Sequence, residues 1–255
     1  SGVSVASRSA VGVVTFTVLL LVTHRLPFAS VGMAVSAVAT LLLVSIPLAL
    51  LETPRSRKPE LLEVREIFAE CLPAMAATFL FALIEACPKF AMEGVLPYED
   101  QVFFSAIYFP AQAILMIVGF VYRPQLVRLA GLWADEARRS RFDVVVLAMA
   151  AVCVVVTGVA LAFFGSVGIL LNSLLYGVSF EPLRQAQAVM VVAGGMSAAI
   201  EFLFQVLTVL RRQHLATWAY LAAFAFVAVA SVVLVRAQGF MGAVWAYAAV
   251  MALLL

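Results

Sequence analysis

The chain has 255 residues, 65% hydrophobic and 12% charged, with a formal net charge of +2 and a mean hydropathy of +1.11. A soluble domain is nearer half apolar and a quarter charged, so this composition excludes an ordinary soluble fold. The alternating short segments of a β-barrel are absent. Runs near the ~20 apolar residues that span hydrocarbon make a polytopic all-α membrane protein the expected fold class.

Eight spanning segments are predicted in chain order. The first two cover residues 10–23 and 28–51. A polar stretch, ETPRSRKPELLEVRE, opens at Glu52; Pro54 and Pro59 make residues 53–66 a connector. The third and fourth segments cover 67–96 and 102–122. Leu126, Leu129, Leu132 and Trp133 then recur at helical spacing among charges, as in an amphipathic interfacial helix. The fifth segment covers 144–164. Residues 166–180 are apolar but interrupted by Gly168, Asn172 and Gly177, which reads as a short half-buried helix and turn. The last three segments cover 187–210, 215–235 and 240–255.

Basic residues collect in alternate connections: Arg8; Arg55, Arg57, Lys58 and Arg65; Arg123, Arg128, Arg138, Arg139 and Arg141; then Arg211 and Arg212. The opposite set holds only Arg25, Arg184 and Arg236. The richer side is expected to be cytoplasmic. Cys71 and Cys87 stand about 24 Å apart on one predicted helix and cannot bridge. Neither a metal-ligand spacing nor a GxxxxGK[ST] loop is present. No cofactor, metal, ATP hydrolysis or nucleic-acid partner is therefore expected. The start at Ser1 and the apolar end MALLL lead to the expectation of a piece of a longer protein.

The stretch 67–96 is the unusual one. It carries Glu85, Lys89 and Glu93 at spacings of four, with Pro88 among them. Residues four apart share a helix face. An ionisable side chain near the bilayer centre costs about 2.5–3.5 kcal/mol on insertion scales and normally faces a cavity or a partner. The pattern therefore predicts a wall of a hydrophilic pathway, with a bend at the proline.

PKFAMEGVL (residues 88–96) followed by FFSAIYFPAQAILMIVGFVYRPQLVRLAGLW (103–133) resembles the Wzx-type O-antigen and polysaccharide flippases of the multidrug/oligosaccharidyl-lipid/polysaccharide exporter superfamily. LLYGVSF (174–180) and GFMGAVWAYA (239–248) add to the likeness. The resemblance implies two six-helix lobes around a cavity. Residues 1–52 would be the last two helices of the first lobe, 53–66 the cytoplasmic connector, and 67–255 the second lobe. It also implies a non-enzymatic transporter in the bacterial inner membrane, working by alternating access. That transporter would move a polyprenyl-pyrophosphate-linked oligosaccharide to the outer leaflet, beside the polysaccharide polymerase machinery.

Under that resemblance, Lys89 would offset phosphate charge where water is thin. The bland alternative is a self-neutralising pair with Glu85 or Glu93. Glu85 and Glu93 would tune Lys89 or take up a proton. Ser105, Tyr108 and Gln112 fall near one face and could bond sugar hydroxyls, or serve as interhelical glue. Arg123, before Pro124, could meet the lipid phosphate or simply anchor the helix at the membrane surface. Glu201 and Gln205 repeat the four-residue spacing and are candidate ion-coupling residues, with a structural partner role as the alternative. A cation antiporter of the same superfamily is the nearest rival. A membrane glycosyl polymerase or ligase would need a large external loop, which the chain lacks. A purely structural role is the third reading.

Overall fold

A computed structural model describes residues 2–23, 26–40, 42–43, 61–135 and 139–255. The expected connector up to residue 60, most of 41–51, and Arg138 lie outside the described residues. Those described are helical throughout, with no strand among them. They fall into two compact units, Ser1–Val64 and Arg65–Leu255.

In the first unit, α1 (Gly2–Thr23) and α2 (Leu26–Thr40) pack on one another. Hydroxyls in them bond back to their own helices: Thr17 to the Val13 carbonyl at 2.9 Å and Thr40 to the Ser36 carbonyl at 2.7 Å. A polar side chain in an apolar helix is thereby satisfied without a neighbour.

The second unit holds α3 (Leu61–Met92) from Arg65 onward, α4 (Tyr98–Tyr122), α5 (Gln125–Ala134), α6 (Arg139–Phe163), α7 (Ile169–Tyr176), α8 (Arg184–Val209), α9 (Gln213–Gln238) and α10 (Phe240–Leu254). Among the described residues, five stretches are long and apolar enough to cross a membrane: Cys71–Met92, Tyr98–Tyr122, Arg139–Tyr176, Glu181–Val209 and Gln213–Gln238. Val11–Thr23, Ser30–Thr40 and Phe240–Leu254 are shorter apolar helices. The chain is thus a multi-pass membrane protein by the length and apolarity of its helices. Phe79, Phe109, Phe120 and Trp218 are each at least 65% exposed, as lipid-facing side chains are.

Two predicted boundaries are corrected. The third segment, expected at 67–96, is the helix Leu61–Met92, and its end is a turn in which Gly94 takes φ +76°. Glu93 therefore stands past the helix, exposed, off the stripe that carries Glu85 and Lys89. The expected break after residue 164 is instead a π turn, Phe164–Gly168, running straight into α7. The Gln187 amide reaches the Phe164 carbonyl there at 3.5 Å, and the chain stops only at Gly177, in the left-handed conformation.

Helix α8 is the centre of this unit, packed against α4, α5, α6, α9 and α10. Small residues set its distances. A Cβ on Gly194 would sit 2.5 Å from the Ala111 Cα of α4, and one on Gly195 would sit 2.1 Å from the Thr157 Oγ1 of α6. Backbones this close gain contact that lipid tails cannot supply. One buried cluster includes Ile84, Phe104, Ile107, Met190 and Tyr247, and a second includes Ile114, Tyr122, Leu129 and Phe202. Leu129 and Leu132 of α5 are buried while Val127 is 82% exposed, as its amphipathic pattern requires. Trp133 packs on Phe142 with ring centroids 5.2 Å apart, tying α5 to α6.

Candidate functional site

Helix α3 meets the bundle through side chains. Pro73 and Pro88 lie inside it without ending it. Each proline lacks the N–H that would reach back four residues, which leaves the Ala69 and Ile84 carbonyls without that bond. Thr217 of α9 donates to the Pro73 carbonyl at 2.8 Å, and the Phe81 and Tyr220 rings pack tilted with centroids 5.3 Å apart.

Beyond that contact the helix is lined with polar groups. Ser197 of α8, itself buried, donates to Glu85 Oε1 at 3.2 Å. One turn further on, the Lys89 ammonium lies 4.8 Å from the centre of the Tyr108 ring. Such a contact is worth roughly 0.5–2 kcal/mol, rising as water is removed. Among the described residues, no carboxylate comes within ion-pair distance of Lys89. Gln112 donates to the Tyr108 hydroxyl. Tyr247 of α10 closes the cluster, its ring edge-on to Tyr108 at 5.5 Å. Its hydroxyl is buried beside Tyr108 and Ser197, with no hydrogen bond of good geometry among the described residues.

A cavity of about 230 Å³ opens between α3, α4, α8 and α9, lined in part by Phe81, Glu85, Leu115, Glu201, Gln205 and Tyr220. It has room for several water molecules. Glu85 and Glu201 thus reach one space from two helices. Tyr122, at the far end of α4, donates to Glu201 Oε1 at 2.9 Å. Lys89, Tyr108, Glu85, Ser197, Glu201 and Tyr122 form a polar track beside the cavity that runs along the bundle. Lys89 stands in the last turn of α3, nearer the membrane boundary than its sequence context implied, where it also complements the helix dipole.

Of the residues singled out in the sequence, Glu85, Lys89 and Gln112 come together, and Glu201 and Gln205 join them across the cavity. Glu93, Arg123 and Ser105 are exposed and do not line the cavity, though Arg123 stands beside Tyr122. Ser197, Tyr122, Tyr220 and Tyr247 escape sequence reasoning. Ser197 precedes Glu201 by four and so shares its face, a signal that was available. The tyrosines look like any aromatic in an apolar run. No group of three His, Cys, Asp or Glu side chains is placed to hold a metal among the described residues. The chain matches no family model, no curated protein and no solved structure.

Proposed function

We propose that this chain is the greater part of a bacterial inner-membrane flippase for a polyprenyl-pyrophosphate-linked oligosaccharide. On this reading the eight apolar segments all span, and residues 67–255 form the second of two lobes around a shared path. The observation that carries the reading is Lys89. It is a cation at the end of an apolar helix, held against an aromatic face rather than neutralised by a carboxylate within ion-pair distance. An anionic head group would complete it. The hydroxyl and amide groups of Tyr108, Gln112 and Ser197 suit sugar hydroxyls. Glu85 and Glu201, sharing a cavity, could exchange a proton or cation as the lobes rock. Arg123 and the other arginines at that end would face the cytoplasmic leaflet, where the lipid-linked substrate is made.

One observation favours the rival cation antiporter. The cavity lining holds two carboxylates, while Lys89 stands outside it. The full-length protein in sealed vesicles separates the two readings. A flippase makes a labelled polyprenyl-pyrophosphate oligosaccharide accessible from the opposite leaflet and leaves a cationic dye where it was. An antiporter moves the dye with an ion gradient and leaves the lipid.

A further inference from the structure

A second polar cavity, of about 430 Å³, lies where α3, α8 and α9 meet. It is lined by Cys71, Pro73, Thr208, Arg211, Gln213 and His214. Two membrane-crossing stretches reach their ends here: one ends at Val209 and one begins at Gln213. Those ends put the cavity at the level where lipid phosphates are expected.

Its described lining is cationic. Among the described residues, neither Arg211 nor His214 is within ion-pair distance of a carboxylate, and no acidic residue of the described set lines the space. Arg211 has an unusual place. Helix α8 ends in a Schellman turn, with the Arg212 amide on the Leu207 carbonyl at 2.8 Å and the Arg211 amide on the Thr208 carbonyl at 3.0 Å. Arg211 fills the left-handed position, at φ +54°. Glycine or asparagine takes that conformation at less cost. The arginine is thus held by the cap at the wall of the cavity, with its backbone fixed.

We propose that this cavity binds the phosphate of an anionic phospholipid, with the Arg211 guanidinium and the His214 ring as donors and Thr208 beside them. A guanidinium suits phosphate geometry because its planar fork can donate two parallel bonds. The site is separate from the Lys89 and Glu85 cluster, and it does not depend on what the protein transports.

The test uses the full-length protein in phosphatidylcholine mixed micelles titrated with phosphatidylglycerol, with bound lipid counted by native mass spectrometry. Arg211→Asn keeps the left-handed backbone, so the cap survives; His214→Gln is a second variant away from the cap. The double variant is expected to lose about tenfold in phosphatidylglycerol affinity, the scale of one or two charge-assisted bonds. His214→Gln alone is expected to lose less, and Arg128→Gln, a like change of charge on α5, nothing. Inorganic phosphate is expected not to displace the lipid. An unchanged double variant would overturn the proposal, as would an equal loss in Arg128→Gln, which would mark a general charge effect. Displacement by inorganic phosphate would also overturn it, making the cavity a site for the free anion.

Discussion

Glu85 and Glu201 each hold a hydroxyl donor, Ser197 on one side and Tyr122 on the other. A carboxylate in a membrane bundle keeps its charge only with such donors or water. Tyr122 is 1% exposed and its hydroxyl is the donor to Glu201. Tyr122→Phe should therefore lower stability by about 0.5–1.5 kcal/mol, the net worth of one hydrogen bond. Glu201→Gln should cost less, since the amide oxygen still accepts. Unfolding of the purified full-length protein in detergent checks both. At this scale the sequence is half legible. The spacing of Glu85 and Lys89 marks one helix face because that relation is local. Ser197 and Tyr247 reach the same cluster from two other helices, and no local pattern encodes that approach.

Helices α8 and α4 come close together at Gly194. A Cβ there would meet Ala111 main chain, which cannot step aside, so α4 and α8 would have to part. Gly194→Ala should destabilise by roughly 1–3 kcal/mol, as overpacking does. Gly195→Ala meets Thr157 of α6, whose Cβ at 2.8 Å no rotamer change can move, and should destabilise as well. Gly158→Ala has open space around it and should be neutral. Thermal melts of the three variants check the order. The identity of each helix is readable from apolar length alone, and so is the amphipathic α5. The ends are harder. Gly94 stops α3 four residues before the apolar run does, whereas Gly168 does not stop α6, because a π turn absorbs it. A glycine permits either outcome, and its neighbours decide.

If the five long apolar stretches cross in turn, Arg123, Arg128, Arg211 and Arg212 lie on one side. Glu93, Glu99, Asp100 and Glu181 then fall on the other. The alternation that apolar length and arginine placement imply in the sequence therefore makes a topological prediction. In a background without the three native cysteines, Glu93→Cys should react with a membrane-impermeant maleimide added to intact cells. Arg128→Cys should react only after the membrane is opened. The converse pattern would invert the bundle, and equal labelling of both would remove the crossing between them. The polar track is less legible at this scale, since Glu85 and Glu201 lie 116 positions apart and only the packing of α3 and α8 around one cavity unites them.

The most direct test of the proposed function is Lys89→Ala in a cell that depends on the full-length protein, at matched membrane abundance, with Lys89→Arg beside it. The account predicts that lipid-linked oligosaccharide accumulates on the inner leaflet and surface polysaccharide disappears with alanine, and that arginine restores part of it. Unchanged surface polysaccharide with alanine would contradict it and leave Lys89 a structural neighbour of Tyr108.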